Sequence, residues 1–220
     1  MREALRPLLL GHRGARAVRS IPENTLESFD RALADGCDGF EFDVRLTRDG
    51  EPVVYHDPKF GAVDIATATY SQLNQLPRLE DVLSRYWDRG FLDIELKVSG
   101  LETIMLELLQ KYPPQKGFVI SSFLPQVLVA IRENNEHVPL GLICETRDEF
   151  LRWKELPVEY VILHYKLVTA TRMRALKDTH KRIFVWTVNR SAAMTRFRDL
   201  GADGIISDDT ALLWRTLSGT

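Results

Sequence analysis

The feature that most constrains the fold of this chain is the alternation of short, β-rich apolar runs with segments of helical spacing from one end to the other. This alternation is typical of βα units around a parallel sheet. No linker or low-complexity tract interrupts it, so we expect one domain over residues 1–220, long enough to bury a good-sized core. The predicted strands are Leu8–His12, Gly39–Val44, Phe91–Lys97, Gly117–Ser121, Pro139–Cys144, Tyr160–His164, Arg182–Thr187 and Gly204–Ser207.

A segment of helical spacing follows each predicted strand. In the first, Asn24 is the predicted N-cap and Glu27 stands three residues later, which is a capping-box arrangement. An apolar stripe follows on one face, and Gly36 ends the helix. The other helices are predicted near Leu79–Tyr86, Leu101–Tyr112, Pro125–Asn134, Arg147–Leu156, Ala170–Thr179, Ser191–Leu200 and Thr210–Leu217.

Eight strands, each followed by a helix, predict an α/β fold of the (β/α)₈ TIM barrel type. The alternative is an open, doubly wound sheet, which usually has a glycine-rich phosphate turn after its first strand. Gly11–Ala15 does not match that fingerprint, so the barrel is favoured. Asp49-Gly50 is a strong hairpin signal. We therefore expect Pro52–His56 to fold back on the second strand, outside the barrel count, with a shortened insertion at residues 58–90.

Composition argues against several classes of function. The 29 Lys and Arg residues are balanced by 31 Asp and Glu residues, and this net charge of −2 offers no basic surplus for nucleic acid. No apolar run is long enough for a membrane span or a secretory signal, so we expect a cytoplasmic protein. Cys37 and Cys144 have no partner at metal-ligand spacing and are predicted to fill the core.

The ends of four predicted strands carry side chains that suit catalysis. These are His12 on the first strand, Glu41 and Asp43 on the second, Glu95 and Lys97 on the third, and Trp186 on the seventh. Barrel enzymes place their chemistry at the carboxyl ends of the strands. In a barrel built for packing alone, neutral residues would occupy most of these points. We therefore expect these side chains to gather at one rim.

Three carboxylates form a candidate metal site. Glu41 and Asp43 are two residues apart on one strand, so their side chains point to the same face, and Glu95 lies on the neighbouring strand. Such carboxylates repel each other unless a cation lies between them. Three hard oxygen ligands without cysteine favour Mg²⁺, Ca²⁺ or Mn²⁺. The alternative is that the acids form ion pairs with Arg45, Lys97 or Arg13.

Two histidines are candidates for proton transfer. His12 and His56 both lie on the rim side of their strands, and a pKa near neutrality suits histidine to both acid and base roles. One would take a proton from the attacking oxygen and the other would protonate the leaving alkoxide, but the sequence does not assign the two roles. His137 and His180 are expected in solvent, and His164 ends a strand where it could line the mouth.

Three further residues are candidates for binding the substrate. Arg13 can grip phosphate oxygens in a bidentate way. Lys97 faces the same way as Glu95 and can neutralise charge that grows on phosphorus. The alternative role of both cations is to balance the acids. Trp186 is predicted to wall the pocket, with a plain core position as its alternative. Together these candidates favour metal-assisted cleavage of a phosphoester.

In a whole series of motifs the chain resembles the glycerophosphodiester phosphodiesterase family, of the bacterial type with a short insertion. The matching segments cover nearly the whole length and are His12–Gly14, Pro22–Thr25, Glu41–Val44, Thr47–Gly50, Val53–Asp57, Glu95–Lys97, Trp186–Asn189 and Gly204–Asp208. Any one segment is a weak signal, whereas the series in this order is highly specific. The segment Pro22–Thr25 is interpreted as the cap of the first helix and is left outside the predicted site.

The resemblance implies a barrel enzyme with a divalent metal ion and a small-molecule substrate. The ligands of the metal would be Glu41, Asp43 and Glu95. The acid–base pair would be His12 and His56, and Arg13 and Lys97 would contact the phosphate. Similar enzymes cleave glycerophosphodiesters to sn-glycerol 3-phosphate and an alcohol such as choline or ethanolamine.

One segment departs from the family pattern. Between His56-Asp57 and Glu95, similar proteins usually carry a longer insertion, often with an Asp-Arg-Thr-Thr run, whereas Ala62–Thr69 stands here. We expect the chemistry to be retained and the choice of head group to be affected. A lysophospholipase D-like enzyme with an apolar rim is one alternative. A non-catalytic phosphate-binding barrel is another, although no histidine or carboxylate is missing.

Overall fold

The strands of this protein close into a barrel. The computed structural model describes residues 6–218. Its strands are β1 (Leu8–His12), β2 (Gly39–Leu46), β3 (Pro52–Val54), β4 (Lys59–Phe60), β5 (Val63–Asp64), β6 (Phe91–Leu96), β7 (Phe118–Ser122), β8 (Leu140–Cys144), β9 (Tyr160–His164), β10 (Arg182–Trp186) and β11 (Gly204–Ser207). All except β3, β4 and β5 form one parallel sheet in the order β1-β2-β6-β7-β8-β9-β10-β11, and the pairing of β11 with β1 closes it. The predicted (β/α)₈ barrel is confirmed.

Helices surround the barrel between its strands. They are α1 (Leu26–Ala34), α2 (Leu79–Tyr86), α3 (Glu102–Lys111), α4 (Pro125–Asn134), α5 (Arg147–Leu151), α6 (Ala170–Asp178), α7 (Ser191–Asp199) and α8 (Thr210–Leu217). The predicted helix Arg147–Leu156 is shorter, because α5 passes into a 3₁₀ turn at Arg152–Lys154. Within residues 6–218, every helix is too short or too polar to cross a membrane.

The predicted N-cap of α1 is wrong by one residue. Thr25 is the cap, because its backbone is extended and its hydroxyl accepts a hydrogen bond from the Ser28 N–H at 3.2 Å. Asn24 has a positive φ of 58°, which asparagine tolerates better than most residues, and its side chain turns away from the helix. This one-residue shift frees the Asn24 amide for another contact.

The segment after β2 folds back as predicted. β3 pairs antiparallel with β2, with Val54 opposite Val44. β4 and β5 form a small hairpin, and two 3₁₀ turns follow at Ile65–Thr67 and Tyr70–Gln72. A small apolar cluster anchors this insertion on β3, and it consists of Val53, Ile65, Ala68, Leu73 and Leu76.

Apolar side chains fill the space between the sheet and the helices. The rings of Phe29 on α1 and Phe40 on β2 stack with centroids 4.2 Å apart, and Tyr86 packs edge-on against both. Both cysteines are buried free thiols, as predicted. Gly39 is required by close packing, since a Cβ there would lie 1.9 Å from the carbonyl oxygen of Phe91. This dense outer layer fixes the register of the strands that carry the site.

Candidate active site

A cavity of about 240 Å³ opens at the carboxyl ends of the barrel strands. Its lining includes most of the residues predicted from the sequence, namely His12, Arg13, Glu41, His56, Glu95, Lys97 and Trp186. Asp43 is fully buried beside Glu41 and Glu95. His137 and His180 are exposed, as expected, and the His164 ring packs against Trp186 with centroids 5.2 Å apart. The predicted site residues therefore meet at one end of the molecule.

The three predicted metal-ligating carboxylates form one cluster. A ligand oxygen from each of Glu41, Asp43 and Glu95 lies within 4.8 Å of the others. β2 and β6 pair in parallel with Asp43 opposite Glu95, which places the two carboxylates side by side. The backbone N–H of Arg13 donates a hydrogen bond to Glu41 Oε2 at 3.0 Å and holds the third carboxylate in place.

Burial makes the ionised cluster costly without a compensating cation. Burial raises the pKa of Glu41 well above its usual range, and repulsion from Asp43 and Glu95 adds to this. Burial, followed by Asp43, raises the pKa of Glu95 to about 8. Burial acts on Asp43 in the same direction, but Lys97 and Arg13 outweigh it and hold the pKa of Asp43 below its usual value.

The donor set fits a hard divalent cation. Within residues 6–218, Asp43 Oδ1 is buried without a hydrogen-bond donor and has Lys97 Nζ at 3.3 Å as its ion-pair partner. Buried polar atoms are almost always hydrogen-bonded, so a carboxylate oxygen that lacks a hydrogen-bond donor beside two further acids fits a ligand of a bound cation. The three carboxylates supply only oxygen ligands, which Mg²⁺, Ca²⁺ and Mn²⁺ prefer.

The two predicted phosphate-binding cations contact the acid cluster directly. Lys97 Nζ lies 2.7 Å from Glu95 Oε1 and 3.3 Å from Asp43 Oδ1. Arg13 Nε lies 3.2 Å from Asp43 Oδ2. Ion pairs with Lys97 and Arg13 are therefore present, whereas Arg45 Nε donates to the His56 carbonyl instead. Both Lys97 and Arg13 also line the cavity. When all three carboxylates are ionised, the two cations leave the cluster with an excess negative charge.

The segment before α1 contributes to the site, which the sequence analysis missed. Asn24 Nδ2 donates to Asp43 Oδ2 at 2.8 Å and orients that carboxylate. Glu23 Oε1 accepts from Arg13 Nη1 at 2.7 Å and holds the guanidinium beside the cavity. These residues lie in the family-like segment Pro22–Thr25, and the signal was discounted because a helix cap also accounts for that segment.

Each candidate catalytic histidine is held by a carboxylate through Nδ1. His12 Nδ1 lies 2.7 Å from Asp208 Oδ1, and His56 Nδ1 lies 2.7 Å from Asp57 Oδ1. This leaves Nε2 of each ring for proton transfer. Burial lowers the pKa of His56, and the nearby cations add to the shift against the opposing effect of Asp43 and Asp57.

Asp208 is the second feature that sequence reasoning missed. Its Oδ2 accepts a hydrogen bond from Asn189 Nδ2 at 2.6 Å, and Arg16 contacts its Oδ1. Although burial opposes ionisation, the hydrogen bond and charge of His12 hold the pKa of Asp208 at about 2. Asp208 and Asn189 both belong to family-like segments, but the sequence analysis gave neither residue a role.

A further carboxylate lies in the cavity floor. Asp93 is buried on β6 two residues before Glu95, and Ser121 Oγ donates to it at 2.6 Å. Burial raises the pKa of Asp93 to about 7. Its spacing from Glu95 places it on the same face of the strand, a signal that was available in the sequence.

The closed barrel and the acids, histidines and cations at its carboxyl-terminal mouth define a (β/α)₈-barrel enzyme. Residues 12–212 match the model of the glycerophosphoryl diester phosphodiesterase family. The chain therefore belongs to the glycerophosphoryl diester phosphodiesterase family, and it is a phosphodiesterase.

Two glycerophosphodiester phosphodiesterases and a further phosphodiesterase are similar to this chain over almost its whole length. A glycerophosphodiester phosphodiesterase from Caldanaerobacter subterraneus subsp. tengcongensis is 29% identical over 95% of this chain and 97% of its own. The crystal structure of a glycerophosphodiester phosphodiesterase from Thermotoga maritima is 27% identical with a TM-score of 0.83, covering 97% of this chain and 99% of the other. The structure of an Oleispira antarctica phosphodiesterase in complex with the product sn-glycerol-3-phosphate shares the fold, with 23% identity, a TM-score of 0.85 and 96% coverage of both chains.

Proposed function

We propose that this protein hydrolyses glycerophosphodiesters to sn-glycerol 3-phosphate and an alcohol, with a divalent metal ion and with His12 and His56 as the acid–base pair. The observation that carries the proposal is the meeting of three buried carboxylates with two carboxylate-held histidines at one cavity. Family membership and the names of the relatives support the substrate class. The product complex of the Oleispira antarctica protein, which has the same fold, is consistent with it.

The metal-binding residues would be Glu41, Asp43 and Glu95, which suit Mg²⁺, Ca²⁺ or Mn²⁺. When bound, such a cation withdraws charge from the phosphate and favours attack on phosphorus. Arg13 and Lys97 lie beside the acids and line the cavity, so both are placed to bind phosphate oxygens.

The histidines would move the protons of the reaction. One takes a proton from the attacking oxygen as the new P–O bond forms, and the other gives a proton to the alcohol oxygen as the old P–O bond breaks. The attacking oxygen is water or the glycerol hydroxyl of the substrate itself, by way of a cyclic phosphate. Asp208 and Asp57 accept from Nδ1 and so keep Nε2 of each ring available for the transfer.

Neither Trp87 nor Phe60 forms the apolar rim that a lysophospholipid-cleaving enzyme would use. A lipid-acting enzyme needs an apolar rim. Trp87 is 38% exposed but follows α2, and its carbonyl accepts a hydrogen bond from Gln115 ahead of β7, which puts it at the opposite end of the barrel. Phe60 packs edge-on against Tyr55 with ring centroids 5.3 Å apart rather than forming a free apolar edge.

The test is the release of sn-glycerol 3-phosphate from glycerophosphodiesters by the metal-supplied protein. We expect His12→Ala and His56→Ala each to lower turnover on the order of 10²–10⁴-fold, the usual contribution of acid–base catalysis. His137→Ala is the matched control, because His137 is exposed, precedes β8 at the amino end of that strand and does not line the cavity. Near-normal rates in both site variants would reject the roles. Activity that survives confirmed metal removal by a chelator would reject metal dependence.

A further inference from the structure

The fold supports the two candidate catalytic histidines in different ways. His12 is the last residue of β1, which pairs with β2 on one side and with β11 on the other, and it is buried. His56 lies two residues beyond the end of β3 and is partly exposed. Asp57, the carboxylate that holds the His56 ring, is itself exposed, so solvent screens that contact. Neither a strand nor a buried carboxylate therefore fixes the position of His56.

Backbone pairing stops just before His56. The last residue pair between β2 and β3 is Val44 with Val54. The N–H of Tyr55 still donates to the Asp43 carbonyl at 3.0 Å. Beyond it, no backbone group within residues 6–218 is hydrogen-bonded to the backbone of His56. Backbone groups outside a strand pair need side-chain or solvent partners, so a side chain that binds this backbone decides where the His56 ring lies.

Arg45 is the side chain that binds the His56 backbone. Its Nε donates to the His56 carbonyl oxygen at 2.8 Å. Arg45 lies on β2 opposite Val53 of β3, so the sheet fixes its own backbone. Burial lowers the pKa of Arg45, and Asp43 and Glu95 oppose that shift. Arginine keeps its charge in proteins, so this hydrogen bond is charge-assisted and of the stronger kind.

The other roles open to Arg45 lack a contact that would support them. Arg45 does not line the cavity, so it is not placed to bind the substrate. The ion pairs of the acid cluster are made by Lys97 and Arg13. Within residues 6–218, no carboxylate lies at ion-pair distance from the Arg45 guanidinium. Its direct contact with the site is therefore the one with His56.

We propose that Arg45 is a positioning residue, which fixes the backbone of His56 and thereby sets the place of the His56 ring in the cavity. This inference rests on the proposed function, because it requires that His56 transfers a proton. Arg45 touches neither the substrate nor the reacting atoms and acts through His56. A shift of about 1 Å in a catalytic group can cost on the order of 10²-fold in rate. Loss of the Arg45 donor should therefore lower kcat and change KM little.

The experiment separates the hydrogen bond of Arg45 from its charge. Arg45→Gln removes the charge but keeps an N–H donor, because the amide nitrogen of glutamine stands as many bonds from the backbone as Nε of arginine. Arg45→Met has a methyl group at that place and so removes both donor and charge. Release of sn-glycerol 3-phosphate is measured with the metal-supplied protein and the glycerophosphodiester that the wild-type protein cleaves fastest.

The two variants should behave differently. Arg45→Met should lower kcat about 10- to 100-fold and leave KM within about threefold, because it removes an interaction that serves the transition state. Arg45→Gln should stay within about fivefold of the wild-type kcat, because its donor still reaches the His56 carbonyl. Arg48→Met is the matched control, since Arg48 is an exposed arginine three residues further along, and it should have wild-type rates.

A second comparison tests whether Arg45 acts through His56. In His56→Ala protein, the place of residue 56 no longer affects proton transfer, so the added Arg45→Met should lower kcat by less than about twofold. Thermal unfolding checks that each variant is folded. If Arg45→Met is unfolded, Arg45→Ala takes its place, because its smaller side chain removes the same donor without a clash.

The outcomes distinguish this inference from the function on which it rests. A wild-type kcat in Arg45→Met, or equal losses in Arg45→Met and Arg45→Gln, would overturn the inference, because the donor would then not matter. The same loss with and without the His56 side chain would also overturn it, since Arg45 would then act elsewhere in the site. Wild-type protein that releases no sn-glycerol 3-phosphate from any glycerophosphodiester would overturn the proposed function itself, and this inference with it.

Discussion

Replacement of Asp208 by asparagine tests how the buried carboxylate controls His12. Asp208 accepts from His12 through Oδ1 and from Asn189 through Oδ2. Asparagine has the same shape but only one acceptor oxygen for these two donors. Its amide must therefore face either Asn189, where two donors repel, or His12 Nδ1, where it would favour the tautomer with the proton on Nε2.

The size of the effect follows from the electrostatics of the carboxylate. The pKa of Asp208 is held at about 2 against an ordinary value of 3.8. This difference corresponds to roughly 2 kcal/mol of favourable interaction with the ionised form, at about 1.4 kcal/mol per pKa unit. His12 makes the largest favourable contribution, and Asn189 and Arg16 add to it. The side chain is only 18% exposed, so solvent screens little of it. Loss of this interaction in the transition state lowers kcat about 10- to 100-fold. KM should change less, because Asp208 does not line the cavity.

The assay is the initial rate of sn-glycerol 3-phosphate release at saturating substrate and metal. The matched control is Asp57→Asn, since Asp57 holds His56 at the same 2.7 Å but is 65% exposed. Solvent screening should limit its effect to about fivefold. Equal losses in the two variants, or a wild-type rate in Asp208→Asn, would refute the reasoning from burial.

The folding stability of Asp208→Asn provides an independent check. A depressed pKa stabilises the fold fully above the ordinary value of 3.8, and this stabilisation is lost as the pH falls toward about 2. In urea unfolding, the variant should therefore be less stable than wild type near neutral pH, and the difference should shrink in acid. A difference that is independent of pH would mean that the variant disturbs packing instead.

Three further predictions concern the acid cluster and the barrel. The pKa of Glu95 is raised from 4.5 to about 8, so metal-free protein should lose stability to urea as the pH rises through this range. A saturating divalent cation should suppress that loss. Stability that does not change with pH in the metal-free protein would contradict the raised pKa. Asn24→Ala removes the hydrogen bond to Asp43 and should weaken divalent-metal binding about 10- to 100-fold by calorimetry, whereas unchanged affinity would exclude an orienting role. Gly39→Ala should destabilise the fold by about 3 kcal/mol or more in thermal unfolding, because its Cβ would meet the Phe91 backbone, and wild-type stability would show that the strands can separate.

The strands and helices could be predicted because their signals are local. Leu8–His12, Tyr160–His164 and Gly204–Ser207 have the predicted bounds, since their apolar runs lie between clear turns. The first helix was misplaced by one residue, because Asn24 and Thr25 are both good caps by type. The choice between them depends on Asp43, which is distant in sequence and draws the Asn24 amide away.

Part of the candidate site could also be predicted from local signals, and part of it could not. The spacing of Glu41, Asp43 and Glu95 on neighbouring strands predicted their common cluster, because strand periodicity sets the direction of each side chain. Asp208 was missed as the partner of His12, because the pair is 196 residues apart and meets only where β11 closes onto β1.

By itself, the sequence determined the fold class, the end of the barrel that carries the chemistry and the residue types gathered there. These depend on periodicity and on strand ends, which the order of residues encodes directly. Only the tertiary structure decided which carboxylate holds each histidine and that the Asn24 amide orients Asp43. Those features depend on burial and on distances across the closed barrel, and neither exists until the last strand pairs with the first.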